Sequence, residues 1–168
     1  MRKEIQKHIG YLLVLILLSG SLNSWEVNAQ ELTWHLFEDA LTLADTTDRP
    51  VLVDIAAPWC GWCHKMKQEV YPSLASELQD QFVTTRLNRD DHKKVYRYKG
   101  EKFTSFRLAQ KLNAETVPTI VFLTSDGDYL LHLSGFIEAN ELRPVFNYIS
   151  TKAYRHQTFQ AFVNQSGS

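Results

Sequence analysis

Cys60 and Cys63 are the only cysteines in the chain, and two residues separate them. A thiol pair at this spacing carries chemistry only if one sulfur ionises, because the thiolate is the nucleophile. The residues before the pair, Val51-Leu-Val-Asp-Ile-Ala56, form an apolar run, and the residues after it, Lys65-Met-Lys-Gln-Glu69, favour helix. The run predicts a strand buried on both faces. The cysteines therefore fall where a strand hands over to a helix. At a helix N-terminus the unpaired backbone N–H groups and the positive end of the dipole favour thiolate over thiol at the first cysteine. This is the setting of thiol–disulfide exchange.

A structural staple is the competing use of the pair. A bridge across so few residues removes little entropy from the unfolded chain. With 168 residues, 44% of them hydrophobic and 12% aromatic, the chain can build a core without one. The formal net charge of −1 excludes broad attraction to nucleic acid or to acidic membranes as its main business.

The N-terminus reads as an export signal. Arg2, Lys3 and Lys7 make a basic start, Ile9 to Leu18 a short apolar core, and Val27-Asn28-Ala29 a small-residue cleavage site. Residues 1–29 are thus expected to be removed and the protein to be periplasmic or otherwise exported. The apolar core is about half the roughly 20 residues that a spanning anchor needs, which makes an uncleaved anchor the weaker reading.

The elements that must position the pair follow in order. Residues 30–35 predict a short edge strand through Leu32 and Trp34. Phe37, Ala40, Leu41 and Ala44 make the stripe of an amphipathic helix. Beyond Cys63 the helix should break near Pro72, with Ser73 capping a second piece to about Asp80. Phe82 to Asn88 alternates as a strand, residues 89–102 form a polar excursion, and Phe103 to Leu112 returns to helix. Val117-Pro118 introduces a strand over Thr119 to Thr124. Asp126-Gly127 predicts a two-residue hairpin turn with both central residues at positive φ. Tyr129 to Leu133 returns, Gly135 ends it, and Glu138 to about Tyr154 is a final helix. The domain thus spans residues 30–155, and 156–168 is expected to be a flexible tail. Strands alternating with helices pair in parallel and the hairpin antiparallel, which gives an α/β fold: a mixed central sheet with helices on both faces.

The Val-Leu-Val-Asp strand, Trp59-Cys-Gly-Trp-Cys63 at a helix start, Val117-Pro-Thr119, the Asp-Gly hairpin and Gly135 together resemble the thioredoxin superfamily. The resemblance covers about residues 35–150. Within the superfamily, Trp-Cys-Gly-Trp-Cys-His-Lys-Met is most similar to exported bacterial thioredoxin-like domains. It implies a thioredoxin-like fold and a thiol–disulfide oxidoreductase, most simply a protein-disulfide reductase. Cys60 would be the exposed nucleophile and Cys63 the resolving thiol.

The resemblance also assigns roles around the pair. Asp54 interrupts an apolar strand, where a carboxylate is costly. It matches the buried acid that helps move the resolving cysteine's proton, and burial should raise its pKa. Arg86 falls where thioredoxins carry a lysine near that acid. An arginine would hold Asp54 ionised if the two met, although a solvated surface arginine is an equal reading. Pro118 matches a cis-proline whose preceding backbone, at Val117, pairs with substrate. Trp59 and Trp62 could form an apolar docking surface or simply pack. Oxidised client proteins and a membrane thiol reductase as electron donor are the implied partners, and neither a metal nor a bound cofactor is required.

Three other readings stay open. The same scaffold can act as a disulfide-forming oxidase or isomerase, or as a redox-inactive binding module. Cys60-Gly-Trp-Cys63-His64 is also a c-type haem attachment string, with His64 as axial ligand. Residues 92–107 carry Lys93, Lys94, Arg97, Lys99, Lys102 and Arg107 with interleaved aromatics. This stretch suits a solvated face or a partner-docking face better than single-stranded nucleic acid.

Overall fold

The computed structural model describes residues 32–166, so the predicted export signal lies outside the described residues. Four strands form the central sheet: β1 (Val51–Ala56), β2 (Val83–Asn88), β5 (Thr119–Leu123) and β6 (Tyr129–Ser134), in the order β2-β1-β5-β6. A two-stranded hairpin, β3 (Val95–Tyr98) and β4 (Glu101–Thr104), stands apart. The helices are α1 (Phe37–Thr47), α2 (Gly61–Lys65), α3 (Tyr71–Ser73), α4 (Ala75–Gln81), α5 (Ser105–Lys111), α6 (Ala139–Ser150) and α7 (Phe159–Ser166). A π-helical turn over Met66–Val70 joins α2 to α3.

The alternation of β1 divides the core into two layers. Val51, Val53 and Ile55 face α1, α5 and the separate hairpin, together with Phe37, Tyr96, Tyr98 and Leu108. Leu52 faces the opposite layer, with Met66, Tyr71, Phe82, Phe122 and Phe146. Asp54 is in phase with Leu52. Its carboxylate therefore points toward the helical run that begins at the cysteines.

β1 and β2 pair in parallel, but β5 is antiparallel to β1 as well as to β6. The expectation that only the hairpin strand would be antiparallel is corrected. The chain leaves the C-terminal end of β2, runs through β3, β4 and α5, and re-enters at that same end, so β5 has to run the other way. This reversal sets Thr119 opposite Ile55 and brings Pro118 beside the cysteines.

Other boundaries also differ from the sequence reading. The lead-in makes a single bridge, His35 with Thr85, in place of an edge strand. Ser73 does not cap α4, because its Oγ donates to the Val70 carbonyl at 2.8 Å. The polar excursion contains the β3–β4 hairpin, whose turn places Lys99 (φ 50) and Gly100 (φ 81) in the left-handed region. At Asp126-Gly127 only Gly127 has positive φ, at 75. The connection there is longer than two residues, with the Thr124 N–H bonded to the Asp128 carbonyl at 2.7 Å. The final helix stops at Ser150. The segment expected to be a flexible tail instead carries α7, whose Phe159 and Phe162 pack on Tyr148 at 5.4 Å each.

Candidate active site

Cys60 is the N-cap of α2 and Cys63 is one turn further on. The two are disulfide-bonded, with Cα atoms 5.2 Å apart. The Cys63 N–H donates to Cys60 Sγ at 3.1 Å. One of the N–H groups that a helix start leaves unpaired is therefore spent on the first sulfur, the contact that would stabilise its thiolate. Cys60 is only 4% exposed, not open as expected. Ala56, Ala57 and Val117 pack around the pair and leave little of either sulfur accessible.

Val117 lies on the far wall of the pair. The Val117–Pro118 bond is cis, and the Pro118 carbonyl accepts from the Gly135 N–H at 2.8 Å. The loop that precedes β5 is thus tied to the end of β6.

Behind Cys63 lies Asp54, 3% exposed. Tyr71 Oη donates to its Oδ1 at 2.8 Å, and Arg86 Nε donates to its Oδ2 at 2.5 Å. The Arg86 guanidinium lies 4.0 Å from the ring centroid of Trp34, whose edge meets Tyr71 at 5.3 Å. Of the two open readings of Arg86, the structure takes the one in which the residues meet. Burial raises the Asp54 pKa above the ordinary carboxylate value, while the charge of Arg86, its hydrogen bond and that of Tyr71 pull it back. Burial, the Asp54 charge and the Asp54 hydrogen bond push the Tyr71 hydroxyl well above its usual value, so it stays protonated and donates. A cavity of about 190 Å³ lies beside Asp54, Arg86 and Cys63, lined also by Ala57, His64 and Lys67 among others. A cavity of this size has room for water between Cys63 and Asp54.

Trp59 and Trp62 are 67% and 58% exposed, so neither is a core residue. They diverge toward opposite edges of the sheet. Trp59 Nε1 donates to Asp90 Oδ2 at 2.7 Å, just beyond β2. Trp62 stacks on Phe136, just beyond β6, with centroids 5.1 Å apart, and Lys65 Nζ lies 4.9 Å from the Phe136 centroid.

Tyr71 and Phe136 went unnoticed in the sequence, and Trp34 was read only as part of an edge strand. Tyr71 had a usable signal: with Cys63, Met66 and Val70 it continues the buried stripe of the helical run, and a buried tyrosine hydroxyl demands a partner. Phe136 lies in a connecting segment and gave none, and nothing about Trp34 pointed to its contact with Arg86.

A mixed sheet, helices on both faces, and a Cys-x-x-Cys pair at a helix start opposite a cis-proline define a thioredoxin-fold dithiol protein. The comparisons agree. The family model described as thioredoxin-like domain matches residues 37–150. The chain is 31% identical over 114 residues to chloroplastic thioredoxin Y2 of Arabidopsis thaliana, a match covering 68% of this chain and 58% of that protein. A thioredoxin from Thermus thermophilus superposes with a TM-score of 0.58 at 23% identity, over 75% of this chain and 97% of that one. A thioredoxin-fold protein from Helicobacter pylori gives 0.59 at 17% identity, over 71% and 84%. The chain belongs to the thioredoxin-like family.

Proposed function

We propose that this chain is an exported thiol–disulfide oxidoreductase that reduces disulfides in client proteins. The observation that carries the reading is the Cys60–Cys63 disulfide at the start of α2, with Asp54 behind it across a cavity. In the reduced protein the Cys60 thiolate attacks one sulfur of a client disulfide, and the other client sulfur leaves as a thiolate. Cys63 then loses its proton toward Asp54 and attacks Cys60 Sγ, which expels the second client sulfur. The client gains two electrons, and the chain is left with the disulfide seen here. A membrane thiol reductase would restore the dithiol. The exported setting rests on the basic start and apolar core of residues 1–29.

The haem reading is the less favoured, since attachment would consume both sulfurs that here bond to one another. The test is insulin reduction with dithiothreitol as donor. Cys60→Ser should abolish it, and full activity without Cys60 would refute the mechanism. Direction is read separately, from the reduction potential of the couple in glutathione or dithiothreitol buffers. A value near the thioredoxin end of the range, about −270 mV, supports a reductant. One near about −120 mV reverses the direction and makes the chain a disulfide donor.

A further inference from the structure

The β3–β4 hairpin and α5 carry a concentration of positive charge that the site does not use. The register sets Arg97 directly opposite Lys102, both exposed. Like charges facing each other across two strands destabilise the pair. Lys102 also lines a shallow depression of about 500 Å³ with Phe103, Thr104, Arg107, Gln110 and Lys111. Among the described residues the hairpin's one ion pair is at its turn, Lys99 with Asp128 at 2.7 Å, and Lys93, Lys94, Arg97, Lys102, Arg107 and Lys111 take part in none. The nearby carboxylate of Glu38 accepts from the backbone N–H of Arg97, and Glu101 faces Tyr98. Exposed Val95 and Phe106 flank the charges with apolar surface.

We propose that this face docks an extended acidic segment of a partner protein. Arg107 and Lys111 are four apart on α5, which places their side chains about 5–6 Å from each other. In an extended chain, alternate side chains lie on one side about 7 Å apart. A segment with carboxylates at every second position therefore meets successive cations, and it relieves the repulsion between Arg97 and Lys102. The depression is shallow and runs from strand to helix, a shape that suits a chain segment better than a small molecule. Nucleic acid is the poorer occupant, since the chain as a whole is at net charge −1 and lacks the strongly basic balance of domains that bind it.

The probe is a fluorescent peptide of about ten residues of alternating Glu and Ser, titrated with the full chain and read by anisotropy. Binding is expected at about 20 mM salt and should weaken at least about tenfold at about 200 mM. The K102E/R107E variant should lose at least about tenfold in affinity with its thermal midpoint kept or slightly raised, since Glu at 102 would face Arg97, and the neutral K102Q/R107Q variant should fall between it and the native chain in affinity. Absence of binding at low salt, or charge reversal without effect, overturns the proposal. So does equal binding of a thymidine oligonucleotide of the same charge, which reassigns the face to nucleic acid, or displacement of the peptide by millimolar inorganic phosphate, which reduces it to a simple anion site.

Discussion

Arg86 lies directly across the β1–β2 pair from Asp54, and its Nε donates to Asp54 Oδ2 at 2.5 Å. The pair sits behind Cys63, so in the proposed mechanism burial and the charge on Arg86 together set when Asp54 can accept a proton. Burial holds the Asp54 pKa up and Arg86 opposes it. Replacing Arg86 by Gln leaves burial less opposed, which moves that pKa further up. A base works only when ionised, so the acidic limb of the pH–rate profile for disulfide reduction should move to higher pH. Tyr71→Phe, which removes the other hydrogen bond, should shift it in the same direction, and Arg86→Lys should restore most of the native profile. Asp54→Asn should slow the reaction by about 10²-fold and erase the limb. A profile that stays in place in Arg86→Gln while Asp54→Asn erases it would separate the base from its tuning.

The same carboxylate makes a prediction about stability. Its folded pKa lies above the unfolded value near 3.9, so the folded state holds the proton more tightly. The stabilisation from that proton is full below about pH 4 and is lost as pH rises through the folded pKa. Asparagine does not titrate. Asp54→Asn should therefore match the native chain most closely near pH 3, where both side chains are neutral, and gain on it as pH rises toward 8. Urea midpoints at the two pH values check this, and a variant less stable at pH 8 than at pH 3, relative to native, would contradict the sign.

Two turn glycines separate conformational cost from packing cost. Gly100, in the β3–β4 turn, has φ 81 and open space where a Cβ would stand. Gly127 has φ 75, and its Cβ would lie 3.3 Å from Leu41 Cδ2. Gly100→Ala should cost about 1 kcal/mol from backbone strain alone. Gly127→Ala adds the push on Leu41 and should cost about 2 kcal/mol. Urea unfolding ranks them, and equal costs would mean that Leu41 yields without penalty.

Much of the site was legible because its residues break local rules. Asp54 stands out as a carboxylate in an apolar strand, and the cysteines stand out by spacing and by the change from strand to helix. Tyr71 did not, since the neighbouring Pro72 drew the reading toward a helix break and the carboxylate it serves is 17 residues back. The β3–β4 hairpin was hidden by its composition. Tyr96 and Tyr98 alternate inward with Val95 and Arg97 outward, but the many cations made the stretch look like loop, and Lys99-Gly100 is a less familiar turn pair than Asn-Gly. Strand direction at β5 was hidden for another reason. It depends on how many times the intervening chain crosses the sheet's length, which cannot be counted while a hairpin is read as loop. The helix at 159–166 mixes Gln160, Asn164, Gln165 and Ser166 with Phe159, Ala161, Phe162 and Val163, and the aromatic surface of Tyr148 receives both rings.

Trp62 should govern how protein substrates dock and leave the sulfur chemistry alone. Its ring is exposed, is braced by Phe136 at 5.1 Å, and lies one residue before the resolving cysteine. A client approaching Cys60 between α2 and the Val117–Pro118 loop would lay its backbone along that loop and its side chains on the Trp62–Phe136 surface. Trp62→Ala should then raise KM for a protein disulfide about tenfold, which is about 1.4 kcal/mol of lost binding, with kcat little changed. Phe136→Ala should reproduce the effect by unbracing the indole. Turnover of a small disulfide such as oxidised glutathione, which cannot span the surface, should stay within about twofold. The two substrates decide the matter. If the small disulfide slows as much as the protein, Trp62 acts through the geometry of the Cys60–Cys63 turn instead, and the exposed face of its ring is incidental to function.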